Sequence, residues 1–149
     1  MLVQNRHCTS IWVNPANCEL IQVIDQRKLP HKFVVADLRT VRDYIVAINE
    51  MYVRGAPLIG VTAAFGIYAA CLEAKFKGND YITESAEWLK STRPTAVNLA
   101  WAVDKQMECI SVFDNIDDKI YAALINAKKI AAGETENCRK IGIHGYGLI

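Results

Sequence analysis

No C-x-x-C pair occurs in this chain, and its five cysteines (Cys8, Cys18, Cys71, Cys109 and Cys138) are an odd, scattered set. Such spacing frames neither a disulfide scaffold nor a zinc ribbon, so reduced, mostly structural thiols in a cytoplasmic protein are expected. The three histidines, His7, His31 and His144, stand far from one another, and no metal site is expected. Also missing are a Walker loop, a G-x-G-x-x-G fingerprint and a Ser/His/Asp arrangement, so no cofactor is implied. Neither sign of charge prevails. With 17 basic and 16 acidic residues, the net charge of +1 gives no broad surface for nucleic acid or an anionic membrane. The N-terminus lacks the apolar core of a signal peptide. The longest apolar run, 56–72, falls short of the roughly 20 residues of a membrane span and reads as a buried helix.

What is present is an ordinary globular composition, 52% hydrophobic and 22% charged, over 149 residues, enough for one domain with a core. The pattern predicts an α+β chain: an N-terminal β-hairpin region over 1–30, a mainly helical body over 37–132, and a segment over 134–149. In the first part, β-branched runs at 9–13 and 19–24 flank the turn composition Asn14-Pro15-Ala16-Asn17. Asp25-Gln26-Arg27-Lys28-Leu29-Pro30 reads as a polar connector. Leu38, Val41, Ile45, Ile48 and Met51 then fall on one helical face, with Asp37 as the expected N-cap.

The next helix is expected to start at Ala56 or Pro57 and to be apolar almost all round, as a central helix is, with Gly60 and Gly66 as close-packing positions. A third helix is predicted over about 81–90. A fourth starts near Thr95, with Val97, Trp101 and Val103 as buried candidates, and a fifth opens at Asp117-Asp118 and is interrupted at Gly133. Trp12, Trp88 and Trp101 read as core or interface residues. The end, Ile141-Gly142-Ile143-His144-Gly145-Tyr146-Gly147-Leu148-Ile149, lacks polar fraying and reads as the entry to something further.

Two arginines carry the functional signal. Arg54 stands in Val53-Arg54-Gly55-Ala56-Pro57, just before one apolar helix, and Arg93 in Thr92-Arg93-Pro94-Thr95, just before another. A helix N-terminus offers unpaired N–H groups and partial positive charge, and a neighbouring guanidinium adds a forked donor that fits phosphate. Gly55 and Ala56 would present amides to such a ligand. A tight turn with a solvated Arg54, and a plain helix cap by Thr92 or Thr95 beside Arg93, satisfy the same residues. Asp25, Gln26 and His144 are weaker candidates, and Asp114, Asp117 and Asp118 suit an ordinary helix cap.

These two motifs, with Leu29-Pro30 after Ile24-Asp25-Gln26 and with Cys138-Arg139-Lys140-Ile141-Gly142-Ile143-His144-Gly145, resemble the N-terminal half of the methylthioribose-1-phosphate isomerase family over essentially the whole chain. The wider superfamily also holds related sugar-1-phosphate isomerases and regulatory subunits of a translation-initiation exchange factor. The resemblance implies an aldose–ketose isomerisation of a sugar 1-phosphate, with Arg54, Gly55, Ala56 and Arg93 as substrate-binding residues, in a homodimer. It also implies that the catalytic cysteine and acid lie past the chain end, in a Rossmann-like C-terminal domain. No catalytic residue is therefore expected here, and Cys138 does not match the family's catalytic cysteine. The chain reads as truncated before that domain, inactive alone, and a partner for a separate C-terminal fragment. The competing reading is a non-catalytic regulatory module.

Overall fold

A turn that pairs Asn14 with Asn17 starts the ordered sheet. In this computed structural model, whose described residues are 2–3 and 6–147 with side chains from Cys8 onward, β1 (Leu2–Val3) and β2 (Arg6–His7) form a two-residue antiparallel ladder. The segment before Cys8 and the last two residues of the apolar C-terminus, Leu148 and Ile149, lie wholly or partly outside that description. The expected hairpin is β3 (Ile11–Asn14) and β4 (Asn17–Ile24), with a register irregularity at Val13/Asn14.

A third strand, β5 (Val35–Leu38), pairs antiparallel with β4, giving the order β3-β4-β5. Trp12, Gln22 and Asp37 stand opposite one another across the three strands. The Trp12 indole N–H donates to Gln22 Oε1 at 3.0 Å, and Gln22 Nε2 donates to Asp37 Oδ1 at 2.9 Å. Ile21, Val23 and Leu38 turn into the core. Asp37 is thus a strand residue, and the N-cap of α1 (Val41–Asn49) is Thr40. Its hydroxyl accepts from the Asp43 N–H, while the Asp43 carboxylate accepts from the Thr40 N–H, a capping box.

Helix α2 (Ala56–Lys77) is the axis of the molecule, packed by α1, α3 (Asp80–Thr92), α4 (Val97–Ser111) and α5 (Ile116–Tyr146). Every residue from Ile59 to Cys71 is buried. At 22 residues α2 is long and apolar enough to span a bilayer, so burial rather than shortness decides against that reading. Its two interior glycines are contact points, as expected. A Cβ on Gly60 would stand 2.8 Å from the Asn98 carbonyl oxygen, and one on Gly66 would stand 3.0 Å from Leu89 Cδ1. Burial pushes the Cys71 thiol up to about 12, which leaves it an inert packing group.

Two expectations fail in the helical body. Val97 is 79% exposed and Trp101 46% exposed, so neither joins Val103 in the core. The buried face of α4 carries Leu99, Val103 and Gln106 instead. Trp88 is likewise exposed on α3, and Trp12 is half-buried, its indole on the outer line of the sheet. Finally, α5 runs unbroken through Gly133 for 31 residues, about 46 Å at 1.5 Å per residue. Its N-cap is Asn115, which accepts from the Asp117 N–H, and Asp117 and Asp118 fill the first turn. Ala123, Ala127 and Ile130 pack inward, whereas Ile141, Ile143 and Tyr146 are exposed.

Candidate functional site

The loop that presents Arg54 is bolted down from behind. Arg27 donates from Nε and Nη2 to the two carboxylate oxygens of buried Asp25, both at 2.9 Å, and from Nη1 to Glu50 at 2.9 Å. Its guanidinium also lies 3.7 Å over the Tyr52 ring. The Gln26 N–H donates to the Tyr52 carbonyl at 2.9 Å, and Val53 is fully buried. The Asp25 side chain and the Gln26 backbone therefore fasten the β4 end to the α1–α2 loop. The Arg27 hydrogen bond holds the Asp25 carboxyl below its ordinary range, against the opposing effect of burial.

Past this anchor the chain turns outward. Arg54, Gly55 and Ala56 are exposed. Gly55 has φ +88°, a conformation that side chains rarely adopt, while a Cβ there would meet nothing within 4 Å. Backbone conformation, not space, demands glycine. The Gly55 carbonyl accepts from the Ile59 N–H at 3.0 Å, so the amides of Ala56 and Leu58 precede the helical ladder, and Pro57 has none to offer. No side chain caps this end.

Arg93 sits differently from expectation. It is the C-cap of α3 and the first residue of a turn through Pro94 and Thr95, closed by the Ala96 N–H donating to the Arg93 carbonyl at 2.9 Å. Thr92 ends α3, its hydroxyl donating to the Leu89 carbonyl, and Thr95 lies in the turn. Ala96 holds the N-cap position of α4, again without a side-chain cap. Neither Arg54 nor Arg93 forms an ion pair or side-chain hydrogen bond with any described residue.

The packing of Gly60 beneath Asn98 brings the first turns of α2 and α4 together. A shallow depression lined by Pro57, Gly60, Asn98, Trp101 and Glu134 marks the junction. On the other flank of α2, an open cleft of about 670 Å³ runs between the stretch 8–11, the first turn of α2 and α5 from Ala131 to Cys138. Sequence reading missed Glu134, which touches both hollows, because its place depends on α5 continuing past Gly133. His144 is exposed near the end of α5 and lines neither hollow.

The contrast among helix starts is informative. The α1 start holds a capping box, and its Val41 N–H donates to Glu73 Oε1 at 2.7 Å, while the α5 start holds Asn115. The starts of α2, α3 and α4 hold no side-chain acceptor, and of these the adjacent starts of α2 and α4 each follow an unpaired arginine. Such a pair of positive ends suits an anionic group.

Comparison with known proteins agrees with this architecture. Over its full length the chain is 45% identical to the methylthioribose-1-phosphate isomerase of Desulfatibacillum aliphaticivorans, covering 41% of that protein. Among solved structures, 5-methylthioribose 1-phosphate isomerase from Pyrococcus horikoshii OT3 superposes with a TM-score of 0.75 at 32% identity, covering 83% of this chain and 36% of that one. Translation initiation factor eIF-2B, subunit delta, from A. fulgidus gives 0.80 at 33% identity, covering 94% and 41%. The chain thus spans only 36–41% of the length of these relatives. The model of one family, described as the initiation factor 2 subunit family, matches residues 52–149, from the Arg54 loop through every helix that builds the site. The chain belongs to the initiation factor 2 subunit family.

Proposed function

We propose that this chain is the substrate-holding part of an aldose–ketose isomerase that converts 5-methylthioribose 1-phosphate into 5-methylthioribulose 1-phosphate, a step of methionine salvage. The observation that carries the reading is the side-by-side pair of uncapped helix starts, α2 and α4, each preceded by an unpaired arginine. Isomerase names on the relatives supply the substrate class. In this reading the phosphate rests on the amides of Gly55 and Ala56 with Arg54 beside it, and Arg93 approaches from α4.

The net reaction opens the sugar ring, moves one hydrogen from C2 to C1, and passes the C2 hydroxyl proton to the oxygen released at C4. None of the four proposed binding residues is a proton donor or acceptor near neutral pH. Their contribution is positioning and charge compensation, and the proton-transfer groups belong to the remainder of the enzyme. Residues 134–149 would start the connection to that remainder, in a cytoplasmic homodimer, as the family resemblance supports.

In the completed enzyme, Arg54→Ala and Arg93→Ala should each lower kcat/KM for the sugar phosphate by about 10–100-fold, or about 1–3 kcal/mol, as for a charge-assisted hydrogen bond. Steady-state kinetics decides the matter, and unchanged values in both variants would remove the phosphate site. A regulatory module is the second reading, favoured by the superposition on the eIF-2B delta subunit at TM-score 0.80. It requires neither arginine to be unpaired, and it predicts no binding of ribose 1-phosphates.

A further inference from the structure

Along the inner face of α5, Ala123, Ala127 and Ile130 recur at the spacing of an apolar stripe. The next place on that stripe, one turn past Ile130, carries Glu134. A shielded carboxylate is destabilising unless something pairs with it. Five carboxylate residues of the chain are buried or half-buried: Asp25, Asp43, Glu73, Glu134 and Glu136. Arg27 holds Asp25, the Thr40 N–H holds Asp43, Lys77 and the Val41 N–H hold Glu73, and Arg139 holds Glu136. Of the five, Glu134 alone has no ion pair or hydrogen bond with any described residue. It lines the hollow where the starts of α2 and α4 meet, with Pro57, Gly60, Asn98 and Trp101 on the other walls. Asn98 is half-buried as well, and its side-chain amide has no partner among the described residues.

We infer that Glu134 is a specificity residue that accepts hydrogen bonds from the vicinal 2- and 3-hydroxyls of the ribose, an inference that rests on the phosphate site proposed above. A carboxylate offers acceptors only, so it repels a phosphate and pairs with O–H donors. The part of a sugar 1-phosphate that suits this wall is therefore its hydroxylated ring carbons, next to the phosphate. The two carboxylate oxygens take one hydroxyl each, and the Asn98 amide donates back to a hydroxyl oxygen. Arg54 and Arg93 hold any sugar 1-phosphate alike, whereas Glu134 separates a ribose from a 2-deoxyribose.

Calorimetry on the 149-residue chain tests this with ribose 1-phosphate, 2-deoxyribose 1-phosphate and inorganic phosphate as probes. The parent should prefer ribose 1-phosphate over its 2-deoxy analogue by about tenfold or more, as for a hydroxyl bonded to a charged group. Glu134→Ala should bring the two sugars to equal affinity, and Glu134→Gln should narrow the gap between them. Both variants keep good helix formers in α5, and both should bind inorganic phosphate at least as tightly as the parent, since a repelling charge is gone. A merely structural role would instead weaken all three probes together and leave the preference for ribose intact. That result, or a parent that binds both sugars alike, would overturn the hydroxyl contact and leave the phosphate site standing. Failure of every probe to bind the parent would overturn both.

Discussion

Gly60 and Gly66 look alike in sequence, two glycines in an apolar helix six residues apart, and the structure separates them. An added Cβ at Gly60 meets a backbone oxygen, Asn98 O, at 2.8 Å, and that oxygen cannot move without shifting the start of α4. At Gly66 the neighbours are the Leu89 methyls at 3.0 and 3.1 Å, the far end of a flexible side chain. Both alanine variants gain about 1 kcal/mol of helix propensity. Gly66→Ala should therefore come out within about 1 kcal/mol of the parent, whereas Gly60→Ala should lose about 1–3 kcal/mol net through overpacking. Urea unfolding midpoints check the difference, and equal midpoints would mean that α4 is not held against α2 at this point. That both glycines pack closely was legible from an otherwise apolar helix. Which one meets backbone was not, because Asn98 is 38 residues away in the chain and enters only through the fold.

At the scale of elements, local signals and nonlocal pairing compete. Leu38, Val41, Ile45 and Ile48 do share a helical face, which made a helix from Asp37 a sound expectation. Leu38 is instead held by β4, opposite Ile21, and the helix waits for Thr40, whose capping box is visible in Thr40-Val41-Arg42-Asp43. A strand of four residues carries too little pattern to outweigh a longer helical one. The opposite error occurs at Gly133, where a residue with high local cost reads as a break and the helix continues. Nothing lies within 4 Å of a Cβ built there, and the backbone is helical. Gly133→Ala should thus stabilise the chain by about 0.5–1 kcal/mol through helix propensity and a less flexible unfolded state. Thermal unfolding followed by circular dichroism reads the shift, and a lower midpoint would indicate that α5 is interrupted at this residue after all.

Over the whole molecule, the sheet and the helical body are joined by a few polar bonds that position the site. The motifs around Arg54 and Arg93 were legible because arginine, glycine and proline before apolar helices have a local physical meaning. Their support was not legible, since Asp25 and Arg27 read as connector residues until the fold places Glu50 and Tyr52 against them. This junction gives the chain a pH dependence whose sign can be worked out. Asp25 is held below its unfolded value of about 3.9, so it contributes stability above that pH and loses it as pH falls through the lower folded value. The window lies below about pH 4. Asp25→Asn removes the carboxylate while keeping its shape, and should cost about 1–3 kcal/mol near neutral pH, as for hydrogen bonds to a charged group. Urea titrations between pH 7 and pH 3 should then show the gap between parent and variant narrowing as the window is entered. The same variant should loosen the Tyr52–Gly55 loop and raise KM for the sugar phosphate in the completed enzyme. A constant gap down to pH 3 would show that the Asp25 carboxylate is not what ties the hairpin to the Arg54 loop.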